Sequence, residues 1–438
     1  MARKASSPLA ECREAAGYTQ ERLADVLRVG RVTVGRWERG VQSPQASQRG
    51  DLATRLGITL EILDEVLVQT VRLARRASRT PRAAVALVPA QRRSLPVPPV
   101  AERGARPALG APEPADEVVR GAIPRLRQAL DRIDFPEDGP TRSHQDLTAA
   151  VAEVSEHRVQ ARYGPLAQAL PRLISELARA VSASSGTDSE QASRLLTLAL
   201  RAADGMTYKY GYLDLSARII DMMRRWSDGA ANPLVRAMTA YVGTETFFAT
   251  GDLSTASKLL VAAADELPVE AGKPAARAAS YGALHMRAAV VAARQRRADR
   301  AQDHLDEAWR AARRCPEGVY LGTAFGPASV RIHELAVAVD LGDNPAAIER
   351  ASVWHPPADL PAERRSHYYI DIGRAELGLG HYESASRCIY LARKIAPEHV
   401  REHPQVRSTL TSLLQTKVGS DDRIRDLAAW ARIIDRSA

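Results

Sequence analysis

Apolar residues recur at the spacing of an α-helix along most of the chain. In the first 40 residues they group as Leu23, Ala24 and Leu27, and then as Val34 and Trp37, and this spacing places each group on one helix face. From about residue 164 onwards, segments rich in Ala and Leu follow one another without an alternating apolar pattern long enough to build a sheet. The pattern therefore predicts an all-α protein.

Two short helices with a tight connection are predicted between Thr19 and Gly40. Thr19 has a side chain that can cap a helix, and Glu21 lies in the first turn, where the helix dipole favours an acidic residue. Residues 28–30 contain a glycine and make a turn, after which a second helix covers 31–39 until Gly40 ends it. This arrangement is a helix-turn-helix, whose second helix enters the DNA major groove.

Three further helices are predicted around this pair. One covers residues 7–16, and another starts at Ser43 and Pro44 and is closed by Gly57. A fifth helix starts at Thr59 and is longer than a small DNA-binding core requires. It completes that core, continues as a dimer contact or acts as a lever to the next domain, and the sequence leaves these three roles open.

A set of apolar, turn and capping positions in this segment forms one specific motif: Leu9, Arg13, Gly17, Thr19, Gln20, Leu23, Ala24, Leu27, Val29, Thr33, Val34, Trp37, Glu38, Gly40, Pro44, Leu52, Leu56, Gly57 and Leu63. Together they resemble the XRE, or phage-repressor, type of helix-turn-helix domain over residues 9–67. The chain departs from that family at Gly30 and Gly35, where Ser or Thr is usual. Both departures remove a hydroxyl that could contact DNA, and Gly35 also costs the helix roughly 1 kcal/mol relative to Ala.

The resemblance implies which residues contact DNA. Gln20 opens the first helix of the pair, where it would bond a backbone phosphate and could reach a base edge. Bases would be read by Arg31, Val32 and Arg36, since an arginine matches the two acceptors of guanine and a valine can contact only a thymine methyl group. The alternative for any single arginine is a solvated helix face. The residues expected to hold phosphates are Thr33, Arg39 and Arg13.

The basic charge is concentrated at the N-terminal end of the chain. The formal net charge is +9. Residues 1–110 hold 19 Lys and Arg against 10 Asp and Glu, so the rest of the chain is neutral overall. A basic excess confined to the predicted DNA reader is expected for a phosphate-binding module joined to a neutral domain.

Composition divides the chain into three parts. Residues 1–77 form the predicted DNA-binding domain, and residues 78–116 are dense in Pro, Ala and Arg without an apolar period, which predicts a flexible linker. Between residues 78 and 110 the linker carries a charge of +5, which either attracts DNA nonspecifically or belongs to a passive spacer. Residues 117–438 form the predicted helical repeat domain, with its first helical segment broken at Pro124.

One helix pair in the C-terminal part has a recognisable repeat pattern. Residues 366–398 place small residues where two helices must approach closely and large residues where neighbouring repeats pack. This unit resembles a tetratricopeptide repeat at Tyr369, Ile372, Gly373, Gly380, Tyr382, Ala385, Ile389, Ala392 and Pro397. A second match consists of Gly251, Leu253, Ala256, Leu260, Ala263 and Pro268.

The turns of the predicted repeats are unevenly spaced. Gly251, Arg296, Gly342 and Gly380 are separated by 45, 46 and 38 residues, whereas the usual period of these repeats is about 34. We therefore expect a degenerate solenoid with longer helices or extra loops, including a helix pair over residues 195–226. Stacked pairs form a concave surface that binds peptides, small molecules or partner proteins.

In tetratricopeptide repeats, certain positions counted from the turn residue face the groove. The same positions in this chain give candidate residues for the concave surface. A stripe of aromatic residues at helical spacing is also what ordinary packing produces. Packing between repeats, or a solvated surface, is therefore the alternative for each of them. The candidates for a ligand or partner groove are Tyr241, Glu245, Phe248, Met286, Arg294, His367 and Arg374.

Motifs for catalysis, cofactors or metals are not evident. The sequence has no phosphate-binding loop, dinucleotide fingerprint, zinc-protease motif or nucleophile elbow. His399 and His403 are four residues apart, but Pro404 follows and no cysteine or second pair accompanies them. We therefore predict no enzymatic activity, no cofactor and no metal site.

The location of the protein is predicted from what its sequence lacks. Its three cysteines are far apart, and the N-terminus has no apolar signal-peptide core. No run approaches the roughly 20 apolar residues of a membrane span. These features predict a soluble, cytoplasmic protein without a membrane partner.

The two predicted domains together have the layout of a bacterial ligand-responsive transcription regulator. This layout is similar to that of peptide-sensing quorum regulators of Gram-positive bacteria, and of regulators of differentiation and secondary metabolism in actinobacteria. It implies a homodimer that binds double-stranded DNA and uses its repeat domain to bind a peptide, small molecule or protein partner, or to dimerise. The alternative is a protein-interaction scaffold whose helix-turn-helix has weak or lost DNA specificity.

Overall fold

A computed structural model describes residues 7–27, 29, 31–40, 44, 46–77, 114–267, 274–416 and 418–434. The chain divides into two units, Met1–Leu95 and Pro96–Ala438. Apart from one small hairpin, every regular element in the described part is a helix, so the all-α prediction is confirmed. Residues 78–113 of the predicted linker lie outside the described residues, and the predicted domain boundaries stay predictions.

The described residues of the N-terminal unit form five helices around one apolar core. These helices are α1 Pro8–Ala15, α2 Gln20–Val26, α3 Arg31–Glu38, α4 Ala46–Leu56 and α5 Leu60–Ala77. Their inward faces bury Leu9, Leu23, Trp37, Leu52 and Leu63 in a single cluster. The apolar stripes read from the sequence therefore do face one core, and α2 and α3 form the predicted helix-turn-helix.

Local side-chain chemistry sets the ends of these helices. The hydroxyl of Ser7 accepts a hydrogen bond from the Ala10 amide at the start of α1, and the hydroxyl of Thr19 accepts one from the Arg22 amide at the start of α2, at 3.3 and 3.1 Å. Gly40 and Gly57 follow α3 and α4 with φ of +67°, a conformation that glycine adopts without steric cost.

The C-terminal unit is a succession of helix pairs. It starts with α6 Pro114–Asp131. The first three pairs are α7 His144–Val159 with α8 Tyr163–Ser182, α9 Gly186–Lys209 with α10 Leu213–Gly229, and α11 Pro233–Thr250 with α12 Leu253–Asp265. The next three pairs are α13 Ala275–Arg294 with α14 Ala298–Ala312, α15 Pro327–Leu341 with α16 Asn344–Val353, and α17 Ala362–Gly378 with α18 Tyr382–Ile395. It ends with α19 Pro397–Glu402, α20 Pro404–Leu414 and α21 Asp422–Trp430.

A left-handed residue joins the two helices of each pair. The predicted turn positions Gly251, Arg296, Gly342 and Gly380 have φ between +58° and +86°, and the predicted pair over 195–226 lies within α9 and α10. These predictions are confirmed. The equivalent residues of the first two pairs are Ala161 and Gly211.

One prediction for the start of this unit is wrong. Helix α6 overlaps the last three residues of the predicted linker, and it continues through Pro124 without the predicted break. Proline in a helix removes one hydrogen bond. Because α6 packs along α8 with Val119, Ile123 and Leu126 buried, the burial of this face maintains the helix across that position.

A short β-hairpin between α14 and α15 was not predicted. Its strands, β1 Gly318–Tyr320 and β2 Thr323–Phe325, pair antiparallel, and Leu321 and Gly322 between them both have positive φ. Strands of three residues are too short to give a periodic signal in the sequence. The hairpin places Phe325, which is fully buried, against α13.

Contacts between the two ends of the C-terminal unit bring its first helices onto its last ones. The carboxylate of Asp116 on α6 accepts hydrogen bonds from Arg401 Nη1 and Arg432 Nη2, both at 2.7 Å, and from the Tyr210 hydroxyl at 3.1 Å. Only 1% of Asp116 is exposed. This buried carboxylate therefore links residues that are up to 316 positions apart.

The start of α8 makes a second contact of this kind. Glu398 Oε2 on α19 accepts the backbone amides of Tyr163 and Gly164 at 2.7 and 3.0 Å. A carboxylate at a helix N-terminus satisfies amides that have no partner within the helix and is favoured by the helix dipole. The Gln160 side chain adds a third link, because its carbonyl accepts the Ala362 amide at 3.1 Å.

The hairpin packing gives a direct test of the fold. A methyl group at Gly282 on α13 would overlap the Phe325 ring, so Gly282→Ala should destabilise the protein by about 1–3 kcal/mol. Adding Phe325→Leu should recover part of that loss, which urea unfolding of the four proteins of this double-mutant cycle would measure. The control is Gly121→Ala on α6, where nothing lies near the added methyl group and the change should be neutral or stabilising. Equal stabilities of wild type and Gly282→Ala would contradict this packing.

Candidate DNA-binding surface and central chamber

The predicted recognition helix, α3, carries arginines at both ends. Arg31 is about half exposed, and its Nε lies 2.6 Å from Glu21 Oε1 on α2. Arg39, just after the helix, is also exposed. An exposed ion pair such as Arg31 with Glu21 contributes little to stability, so Arg31 can exchange Glu21 for a DNA group at small cost.

A buried carboxylate holds Gln20 at the start of α2. Gln20 Nε2 donates to Glu38 Oε2, and Arg13 Nε donates to Glu38 Oε1, both at 2.5 Å. Arg13 Nη1 also donates to the Tyr18 carbonyl at 2.6 Å. Gln20 is therefore fixed beside a helix N-terminus, which is a favourable place for a phosphate.

Two residues expected to hold phosphates are placed differently by the structure. Only 7% of Arg13 is exposed, and its guanidinium is committed to Glu38, to the Tyr18 carbonyl and to Glu14. It therefore positions Gln20 rather than facing solvent. Thr33 is buried as well, and its hydroxyl has no hydrogen-bond partner among the described residues.

Three further positions on α3 bear on the predicted base contacts. The side chains of Val32 and Arg36 lie outside the described part, so their predicted base contacts stay predictions. At Gly35, a Cβ atom would lie 3.3 Å from Arg39 Nη1 and 3.9 Å from Gln20 Nε2. The absence of a side chain at this position therefore leaves room for two of the predicted DNA contacts.

Comparison with known families agrees with this geometry. Residues 9–63 match the family model described as Helix-turn-helix. The helix-turn-helix match supports a DNA-binding regulator. No curated protein and no solved structure matched the chain. Among the described helices, none is both long and apolar enough to cross a membrane.

The C-terminal unit contains a chamber of about 680 Å³. Its wall is formed by the first helix of every pair, namely α7, α9, α11, α13, α15 and α17, together with the β-hairpin and the α19–α20 corner. The links from Asp116, Glu398 and Gln160 hold the first and last helices of this wall together. The two ends of the concave surface expected from stacked pairs therefore meet, and the surface lines a chamber that is partly open to solvent.

Six of the seven candidate groove residues lie in the chamber wall. They are Tyr241, Glu245, Phe248, Arg294, His367 and Arg374. The seventh, Met286, is fully buried and is absent from the wall. On α13 the chamber face consists of Arg287, Val290 and Arg294, which follow helical spacing, and Met286 is turned into the packing beside that face.

Ion pairs run along the chamber wall. Arg287 Nη2 lies 3.1 Å from Glu245 Oε1, and Arg374 lies 2.8 Å from both Asp340 and Asp371. Burial raises the pKa of Asp371 to about 6, although the Arg374 charge opposes that shift. Most carboxylates of the wall are thus already paired with a cation of the protein.

The aromatic candidates contact guanidinium groups. The Arg287 guanidinium carbon lies 4.9 Å from the Tyr241 ring centroid and 4.7 Å from that of Phe248. The Arg294 guanidinium carbon lies 4.5 Å from the Phe248 centroid. These distances are those of cation–π contacts, so Tyr241 and Phe248 stack on the cations of the wall in addition to packing.

Three histidines meet beside the chamber, although the sequence indicated only two. His367 on α17 joins His399 and His403 with all three ligand atoms within 4.8 Å of one another. His367 was missed because it lies 32 residues before His399, on another helix. Three imidazoles can in principle hold a metal ion.

A lysine ammonium points at this cluster. Lys209 Nζ lies 2.9 Å from His399 Nε2, 3.4 Å from His367 Nε2 and 3.1 Å from Glu363 Oε1. The Ser366 hydroxyl donates to the Glu363 carbonyl, so it accepts from His399 Nδ1 and leaves Nε2 as the acceptor for lysine. Lys209 thus supplies a positive charge at the ring nitrogens that a metal ion would use.

Four histidines with lowered pKa values predict an acid-sensitive fold. Burial, and next the charge of Arg364, lowers the pKa of His333 to about 3. Burial, and next the charge of Lys209, lowers the pKa of His403 to about 3. Burial and the same lysine lower the pKa values of His367 and His399 well below the usual value. The unfolded chain binds protons below about pH 6.5 and the folded chain does not. Stability is therefore fully present above that pH and is lost as the pH falls towards 3.

The dependence can be measured by urea unfolding at several pH values. Each such histidine should add about 1.4 kcal/mol per pH unit to the slope of unfolding free energy between pH 6 and 4. His333→Asn, which retains a donor for the Ser329 carbonyl, should reduce that slope by about one histidine's share. A variant whose stability changes at pH 7.5 but whose slope does not would contradict the assignment.

Proposed function

We propose that the protein is a sequence-specific transcription regulator that binds double-stranded DNA through α2 and α3 and an effector molecule in the central chamber. The observation that carries the DNA-binding part is the helix-turn-helix match over residues 9–63. The arrangement of Gln20, Arg31 and Arg39 supports it, because all three lie on or beside α2 and α3. The basic excess in residues 1–110 adds a phosphate-attracting field.

The effector part of the proposal rests on the size of the chamber and on the contacts that join the two ends of its wall. A volume of about 680 Å³ lies within the range of small-molecule sites, roughly 300–1,000 Å³. An extended peptide or partner protein needs a groove that is open along its length, whereas here the ends of the wall are hydrogen-bonded together. We therefore favour a small molecule over a peptide or protein partner.

The proposal also covers the type of repeat, the oligomeric state, the location of the protein and its lack of catalytic activity. The left-handed turns of the helix pairs support a degenerate tetratricopeptide-like domain. One helix-turn-helix reads only half of an operator, so we propose a homodimer on an inverted repeat. Four exposed apolar residues on α5, Leu60, Ile62, Val68 and Leu73, support a dimer contact on this helix. We propose a cytoplasmic location and no catalytic activity.

Substitution of Arg31, which we propose reads a base, directly tests the DNA-binding part of the proposal. Arg31→Ala should weaken operator binding by about 1–3 kcal/mol and relax the preference at one base pair. Arg39→Ala is the matched control and should weaken operator and random DNA alike, because it is assigned to phosphate. The measurement is fluorescence anisotropy with operator and random duplexes, after the operator has been found by mapping bound DNA in the genome.

The ratio of the two affinities decides the outcome. If Arg31→Ala keeps the wild-type ratio of operator to random DNA, α3 does not read bases in the proposed way. If the wild-type protein itself shows no preference for any mapped site, the protein is instead a scaffold whose helix-turn-helix has lost its specificity.

A further inference from the structure

Two arginines of the chamber wall have no carboxylate partner in the described part of the chain. Arg201 on α9 is 6% exposed, and its Nη2 donates to the Gly322 carbonyl and the Thr323 hydroxyl at 3.2 and 2.7 Å. Its Nε has no partner among the described residues. Arg364 on α17 interacts with the Tyr241 hydroxyl, and the charges of Glu363 and Glu317 also favour its charged form, although neither carboxylate lies within ion-pair distance of it among the described residues.

The ionisable groups around these arginines report a positive potential at the Tyr241 phenol. Burial raises the pKa of Tyr241, yet Arg364, Arg287 and Arg201 together bring it below its usual value. Burial and the neighbouring Arg158 lower the pKa of Arg201 itself to about 10. The phenol of Tyr241 thus lies where negative charge is favoured.

The carboxylates nearest to this point are already used. Glu245 pairs with Arg287, and Glu363 pairs with Arg158 and Lys209. Asp204 is fully buried beside Glu245, and burial together with that negative neighbour raises its pKa well above the usual value. The negative charge of Asp204 is therefore disfavoured at this place.

A buried charge without a counter-ion is costly for a protein. The buried guanidinium of Arg201 lies over the face of the Tyr241 ring, 5.6 Å from its centroid, and Arg364 interacts with the Tyr241 hydroxyl. Other parts of the wall are apolar, with Phe248, Val290 and Ile332 among the lining residues. The chamber thus combines a small anion-attracting site with room for an apolar body.

We propose that the effector of the chamber is a small organic anion whose phosphate or carboxylate group binds between Arg201, Arg364 and the Tyr241 hydroxyl. Guanidinium groups donate paired hydrogen bonds to both kinds of oxyanion. The apolar part of the effector lies against Phe248 and Ile332. This inference rests on the proposed function, whose chamber it specifies, and it concerns ligand binding alone.

The test uses the full chain with two simple probes, inorganic phosphate and acetate, at constant ionic strength. At least one of them should raise the unfolding temperature of the wild type in a saturable manner, by about 2–4 °C or more near saturation. A response to phosphate alone assigns a phosphorylated effector, and a response to acetate alone assigns a carboxylate. Calorimetric titration of the responding probe measures its affinity.

Substitutions connect the response to the site. Arg364→Gln and Arg201→Gln should each reduce probe affinity at least tenfold, and each response is measured against the same variant without a probe, because Arg201→Gln also removes the hydrogen bonds to Gly322 and Thr323. The matched control is Arg218→Gln on α10, which pairs with Asp131 outside the chamber and should keep the full response.

Three results would overturn the inference. They are the absence of a response to both probes in the wild type, an undiminished response in both chamber variants, and an equal loss of response in Arg218→Gln. Because DNA is not present in these measurements, a failure of base reading by α3 leaves them unaffected. Conversely, a protein that reads its operator but ignores both anions retains its proposed DNA-binding function and loses only this site.

Discussion

The C-terminal domain depends on the buried carboxylate of Asp116. Stacked helix pairs by themselves make an open curved surface, because each pair contacts only its neighbours. Asp116 on α6 joins the two ends by accepting hydrogen bonds from Arg401 and Arg432, which follow the last full pair. Glu398 strengthens the closure by capping α8. A surface that would be open to large partners thereby becomes the wall of a chamber.

Burial strengthens the electrostatic effect of the charged groups in the chamber wall. In a buried site of low dielectric, an ion pair or an unpaired charge has a larger energetic effect than it has at the surface. The protein balances most of these charges itself, as in Arg374 with Asp340 and Asp371, and it keeps Lys209 among neutral imidazoles and Glu363. Arg201 and Arg364 are the exceptions in the described part, which is why we assign the counter-charge to a ligand.

Local features of the sequence were predicted well, and long-range contacts were not. Helix caps such as Thr19 and turn residues such as Gly342 act within a few positions, so their outcome follows from neighbouring residues. Six groove candidates were found because repeat geometry turns the same helix face inward each time. Asp116 was assigned to the linker, and Arg13 to phosphate, because each is buried by partners far away in sequence. His367 joined the other histidines for the same reason.

The closure of the chamber is tested most directly by a double-mutant cycle of Asp116→Asn and Arg401→Gln, measured by urea unfolding. Because the two side chains are buried and hydrogen-bonded at 2.7 Å, their coupling energy should be about 1–3 kcal/mol. The exposed pair of Asp221 and Arg224 on α10 is the control and should couple by less than about 0.5 kcal/mol. Additive effects of Asp116→Asn and Arg401→Gln would show that the ends of the domain are not held together in this way and would contradict the closed chamber.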